Sequence, residues 1–252
     1  GYGRLNDLKD LKMPGKKALI CVTADGLMKN LGILDRVEKL LEEGGTEYVV
    51  YDKVQPNPTK ACVEEAAEFA RANGCDFTLG LGGGSSIDTA KGCALVLALE
   101  GDLWDYAYTG TGGRKEADRA FPVVTITTTC GTGTECDQYC VVTNQDTNEK
   151  LDFTSEAIFP ALSIIDPELM MSLPKMLTIF QGFDALFHNA ECYVTNGHRN
   201  KLLDLYSADG VKTVAENLVK VVNDPTDRDA RTNMAYAANI LGGYSMALDS
   251  VT

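Results

Sequence analysis

Along the first half of the chain, apolar positions follow two alternating rhythms. "KKALICVTA" (16–24) is a short apolar run rich in β-formers and reads as a strand; after it Leu31, Leu34, Val37, Leu40 and Leu41 recur on one helical face until Gly44-Gly45 ends the pattern. The scheme then repeats, with "EYVVYDK" as a strand, "PNPT" as a turn, "KACVEEAAEFARANG" as a helix closed by Gly74, and "FTLGL" as a third strand. Strands alternating with helices predict right-handed crossovers and a parallel sheet covered on both faces.

Beyond "GGGSSIDTAKGCALVLALEG" a looser stretch runs to about Ala120, followed by strands at "FPVVTIT", "QYCVVTN" and "ALSIID". From about Leu173 the period changes. "MLTIFQGFDALFHNAECYVTN", "NKLLDLYSADGVKTVAENLVKVV" and "DARTNMAYAANILGGYSMALDSV" all carry helical spacing, separated by the polar breaks "GHR" and "NDPTD". The expected organisation is an α/β domain over residues 1–167 and an all-α domain over 168–252, meeting near Asp166-Pro167. No internal repeat or low-complexity segment interrupts it.

Composition narrows the partners. A chain of 252 residues, 44% hydrophobic and 23% charged, is long enough for a substantial core. Its formal charge of −13 disfavours nucleic acid, because phosphate backbones need a basic stripe and none is visible. Anionic small ligands must then be held locally, by backbone amides. The eight cysteines lack the dense spacing of a stapled secreted domain and read as reduced core thiols; Cys130, Cys136 and Cys140 lie close in sequence but lack the C-x-x-C spacing of a zinc knuckle. No apolar run approaches the ~20 residues that cross a bilayer, and the opening residues lack a signal peptide's apolar centre. Cytoplasm is the expected location, with no membrane partner.

Several stretches carry candidate chemistry. "GLGGGSSIDTAKG" follows a strand and opens a helix, where backbone N–H groups and the helix dipole can receive a phosphate. It matches neither G-x-G-x-x-G nor the Walker A pattern, and a tight glycine turn with a serine cap remains open. Asp25 ends the first strand, where a carboxylate can accept from a ribose diol and would repel a 2′-phosphate, though an Asp before Gly also serves turn chemistry. The loop "TITTTCGTGTE" is dense in hydroxyls and can either bind a polar ligand or cap a helix. Lys150 is the cation just beyond these strands, as a ligand contact or a solvated lysine. Asp184 and His188, four apart on a helix, suit a shared divalent ion or a simple surface pair. His198, in "TNGHRNK", reads as solvent- or partner-facing rather than catalytic.

Taken together, "PNPT" (56–59), "GGGSSIDTAKG" (82–92), "TTTCGTGTE" (127–135), "IIDPELM" (164–170) and "GFDALFHNAECYV" (182–194) resemble, in order and spacing, the iron-containing alcohol dehydrogenase family. The resemblance implies an N-terminal dinucleotide-binding α/β domain and an all-α C-terminal domain of the dehydroquinate synthase-like type, enclosing a cleft. Carried over by position, it implies Gly83, Gly84 and Ser85 as pyrophosphate contacts with Asp88 nearby. Thr128, Thr129 and Thr132 become cofactor contacts, Lys150 a ribose contact, Asn57 a cleft residue and Asp25 the acidic residue that selects NAD. Asp184 and His188 become metal ligands for Fe²⁺, with Zn²⁺ as the alternative.

The family completes its metal site with two later histidines. "AANILGGYSMALDSVT" resembles the helix that leads up to the third ligand, and "GYGRLNDL" a point inside the family's first unit, so a chain truncated at both ends is expected. The implied activity is an NAD-dependent alcohol dehydrogenase or aldehyde reductase acting on a small alcohol or aldehyde. A zinc-dependent lyase of the dehydroquinate synthase type, a zinc glycerol dehydrogenase, and a nucleotide-binding chain without turnover stay open. A sheet edge is where a second copy can pair, so a homo-oligomer is expected.

Overall fold

The computed structural model describes residues 1–195 and 200–249; His198 lies outside them. The chain divides into two compact units. An α/β unit comprises Arg4–Ile126 and Gln138–Ile164; a helical unit comprises Gly1–Gly3, Thr127–Asp137 and the residues from Ile165 onward. The hydroxyl-rich loop, central in sequence to the strand-rich half, therefore belongs with the helices.

In the α/β unit, β1 (Lys17–Thr23), β2 (Glu47–Val54), β3 (Phe77–Gly82), β4 (Val123–Thr127) and β7 (Leu162–Ile165) form one sheet in the order β2-β1-β3-β4-β7. β1 pairs in parallel with both neighbours, Lys17 opposite Glu47 and Ala18 opposite Phe77. All six residues of β3 are buried, as expected of a strand covered on both faces. The first helical stretch is split. α1 (Leu27–Asn30) is a single turn, and Gly32 in the left-handed conformation precedes α2 (Ile33–Glu43). Ile33, Leu34, Val37, Leu40 and Leu41 are buried, while Leu31 falls in the break and is exposed.

α3 (Lys60–Asn73) starts where the Thr59 hydroxyl accepts the Cys62 amide and stops at Gly74, φ 66°. Its Ala66, Ala67 and Ala70 let it lie close on Leu19, Cys21 and Tyr51 of the sheet and on Ala90 and Cys93 of α4 (Gly84–Ala98). Gly80 permits a second close approach, since a Cβ there would come within 2.7 Å of the Ile87 backbone.

One strand was not anticipated. β5 (Tyr139–Asn144) pairs antiparallel with β6 (Glu149–Thr154) as a separate two-stranded sheet, Cys140 opposite Phe153. "EKLDFT" buries only Phe153, so its periodicity is too faint to read. Phe153 meets Trp104 edge-on at 5.4 Å within a second core that includes Cys140, Val142 and Val63. Lys150 thus lies within a strand.

The helical unit contains α5 (Lys175–Thr195), α6 (Lys201–Asn223), α7 (Arg228–Ala235), a π-helical segment (Tyr236–Gly242) and α8 (Gly243–Asp249). Sequence spacing reads 229–251 as one helix; the π turn interrupts it. The loop Thr127–Asp137 packs on that turn through glycines, a Cβ on Gly133 (φ 68°) falling 2.8 Å from Gly243 and 2.9 Å from the Ala238 carbonyl. All eight cysteines are buried free thiols, and among the described residues no group of three or more His, Cys, Asp or Glu side chains is placed to hold a metal.

Candidate functional site

In the α/β unit, a single residue, Gly83, separates β3 from α4, whose first turn reads Gly84-Ser85-Ser86. Gly82 adopts φ 140°, a conformation L side chains rarely take, and a Cβ there would press on Ser86. Gly83 caps α4 without a side-chain hydrogen bond, so no capping side chain competes for the amides and dipole of the first turn. Ser86, fully buried in that turn, has a hydroxyl with no hydrogen-bond partner among the described residues. Uncapped amides and an orphaned hydroxyl at a helix N-terminus fit a phosphate group.

Three expected cofactor residues meet beside this turn. The Asn57 amide donates to Ser85 Oγ at 3.2 Å, and Lys150 Nζ donates to Asn57 Oδ1 at 2.7 Å. Asn57 adopts φ 55°, which asparagine tolerates, between two prolines. The turn is tied to β5 by the Thr143 amide on the Pro58 carbonyl, 2.8 Å. An exposed cation is thereby directed towards the start of α4. Asp25 stands past the end of β1, which is parallel to β3, and therefore at the same sheet edge as Gly83. Its Oδ1 accepts from Thr23 Oγ1 (2.7 Å) and the Leu27 amide (3.0 Å), so turn chemistry is satisfied while the side chain stays exposed. Asp88 is used internally, accepting the Val141 amide at 3.2 Å.

In the helical unit, Asp184 and His188 share a face of α5, with Nε2 of the histidine 3.6 Å from Oδ1 of the aspartate. Both are partly exposed, at 42% for the Asp184 side chain and 25% for His188. The other ring nitrogen, Nδ1, lies 3.3 Å from the Gly131 carbonyl. A carbonyl only accepts, so Nδ1 is the donor in this pairing, and Nε2 is the ring nitrogen turned to the carboxylate. The 3.6 Å separation is shorter than two metal–ligand bonds of about 2.1 Å laid end to end, so one ion can touch both atoms. Oxygen plus imidazole suits Fe²⁺ or Zn²⁺, and a histidine backed by a carbonyl has the outer partner that metal-bound imidazoles usually possess.

The loop with Thr128, Thr129 and Thr132 is held by groups the sequence did not single out. Asn239 Nδ2 donates to the Thr129 carbonyl (3.1 Å), and the Cys130 amide donates to Gln181 Oε1 (3.1 Å). Fully buried Arg231 donates from Nη1 to Thr178 Oγ1 at 3.2 Å and lies 4.0 Å from Cys130 Sγ. Burial pushes the Cys130 thiol above its ordinary range, and the Arg231 charge draws it back in part. Gln181, three residues before Asp184 on one helical face, could have been found from spacing; Asn239, on the π turn, could not.

Comparison with known proteins agrees with this layout. Residues 1–167 match the model described as iron-containing alcohol dehydrogenase, and residues 178–252 match the C-terminal model of the same family. Alcohol dehydrogenase 4 of Schizosaccharomyces pombe is 37% identical over 237 residues, covering 94% of this chain and 54% of its own length. The NAD-dependent methanol dehydrogenase of Bacillus methanolicus is 37% identical over 232 residues, covering 92% and 59%. The crystal structure of the archaeal alcohol dehydrogenase ADH/D1 from a Red Sea brine pool superposes with a TM-score of 0.93 at 34% identity, over 98% of this chain and 62% of that one. The chain thus spans less than two thirds of these relatives' length. Two consecutive family models account for nearly every residue, and the chain belongs to the iron-containing alcohol dehydrogenase family.

Proposed function

We propose that the protein is a metal-dependent oxidoreductase that transfers hydride between NAD(H) and a small primary or secondary alcohol or aldehyde. The observation that carries this reading is the His188 ring, held through Nδ1 by Gly131 so that Nε2 stands beside the Asp184 carboxylate. The names of the methanol dehydrogenase and alcohol dehydrogenase relatives support the reaction class.

The open first turn of α4 receives the pyrophosphate through the amides at Gly83, Gly84 and Ser85, where the helix dipole favours negative charge despite a net charge of −13. Lys150, steered by Asn57, adds a positive charge there, while Thr128, Thr129 and Thr132 supply hydroxyls for the rest of the cofactor. Asp25 accepts from a ribose hydroxyl and repels a 2′-phosphate, which favours NAD over NADP. Asp184 and His188 hold a divalent ion, Fe²⁺ by family or Zn²⁺. When bound, the ion supplies Lewis acidity to the alcohol oxygen, and the nicotinamide accepts or returns the hydride. No side chain is needed as a nucleophile. Eight buried free thiols support a reducing, cytoplasmic setting.

A nucleotide-binding role without turnover is favoured by one observation, that among the described residues no third His, Cys, Asp or Glu side chain joins Asp184 and His188 in a metal-holding group. Anaerobic assays separate the readings. NADH formation from a simple alcohol should require added Fe²⁺ or Zn²⁺, and Asp184→Ala should lower it by more than the roughly 10–100-fold that loss of an outer-shell partner costs. Unchanged metal content and turnover in Asp184→Ala would remove the metal assignment.

A further inference from the structure

Backbone groups on three consecutive residues of the hydroxyl-rich loop are each taken by a different side chain of the helical unit. The Thr129 carbonyl accepts from Asn239, the Cys130 amide donates to Gln181, and the Gly131 carbonyl faces His188 Nδ1. Thr178, Gln181, Asp184 and His188 follow one another at spacings of three, three and four on α5, so one helix face carries both the metal pair and the loop's anchors. Thr178 reaches the loop indirectly, through Arg231 and Cys130. The loop touches α5 between Gln181 and Asp184, because a Cβ on Gly131 would lie 3.0 Å from Asp184 Oδ2 and 3.1 Å from Gln181 Cα.

We propose that Gln181 is a positioning residue for the metal pair, holding the Cys130 amide so that the next carbonyl, Gly131, stays against His188 Nδ1. This rests on the reading of Asp184 and His188 as metal ligands. The Cys130 amide and the Gly131 carbonyl are one residue apart, so the Gln181 contact sets where that carbonyl stands. Without it the carbonyl is free to swing from Nδ1, and the histidine loses the acceptor that selects its tautomer and ring angle. The loop that offers Thr128, Thr129 and Thr132 to the cofactor is then mechanically tied to the histidine. Ligand at either place orders the same strand of backbone, and by reciprocity each strengthens the other.

Titration with Co²⁺ alone, followed by visible absorption, tests this on the whole protein. Gln181→Met keeps the length and removes the acceptor; it should raise the Co²⁺ dissociation constant by about 10–100-fold and alter the ligand-field bands, as loss of an outer-shell partner does. Gln181→Glu restores an acceptor and should recover most of the affinity. Asn239→Ala, which frees the neighbouring Thr129 carbonyl, should shift the same bands and supplies a second variant if Gln181→Met does not fold. Unchanged affinity and spectrum in folded Gln181→Met, with Asp184→Ala strongly weakened, would overturn the positioning role alone. Co²⁺ binding insensitive to Asp184→Ala would overturn the metal reading and this inference with it.

Discussion

Glu149 shows how one side chain can organise a loop. Its Oε2 accepts from Thr111 Oγ1 (2.6 Å) and Trp104 Nε1 (3.1 Å), and its Oε1 from the Thr111 amide (2.8 Å). Hydrogen bonds from Thr111 and Thr147 draw the carboxyl down to about 2 from an ordinary 4.5. A folded value below the unfolded one means the contribution is fully present above about pH 4.5 and is lost as pH falls through about 2. Glu149→Gln should therefore lower stability at neutral pH, and the gap to the parent should close progressively on acidification below about pH 4.5 in urea unfolding. A gap that widened in acid would contradict this. The neighbouring Lys150 shows the limit of reading single residues. A lone lysine on a polar stretch is equally a solvated cation, and only the Asn57 bridge to Ser85 distinguishes it.

At the scale of elements, α5, α6 and the π turn are joined through Asn189, whose Nδ2 donates to the Ala185 and Ala237 carbonyls. Gly210 of α6 faces this amide so closely that a Cβ would overlap Asn189 Oδ1. Gly210→Ala should then destabilise the protein by roughly 1–3 kcal/mol, as overpacking does. In an Asn189→Ala background the added methyl should cost much less, a coupling measurable by a double-mutant unfolding cycle; equal penalties in both backgrounds would contradict the contact. These elements also mark what the sequence shows and hides. The β1, β2 and β3 strands, α3 with its Gly74 end, and the α4 glycine turn were legible, because burial on a regular period and glycine termination are local. β6, the split at Leu31 and the π turn were not, because β6 buries one residue and the π turn depends on Asn189 and on Gly133 against Gly243, contacts far apart in sequence. The i, i+4 spacing of Asp184 and His188 was legible, whereas the contact of His188 with the Gly131 carbonyl was a tertiary fact.

On the scale of the whole molecule, the proposed function asks an acidic chain to hold an anionic cofactor with backbone amides rather than with a basic surface. The glycine turn with Asn57, Lys150 and Asp25 belongs to the α/β unit, and the hydroxyl-rich loop with Asp184 and His188 to the helical unit. The most direct measurement uses ethanol deuterated at the carbon bearing the hydroxyl, with NAD⁺ and Fe²⁺ under anaerobic conditions, and mass spectrometry of the cofactor. The account predicts NADH carrying one deuterium, absent when Asp184→Ala replaces the parent. Cofactor that binds but returns without label would contradict it, as a lyase that recycles its NAD or a nucleotide-binding protein without turnover would behave.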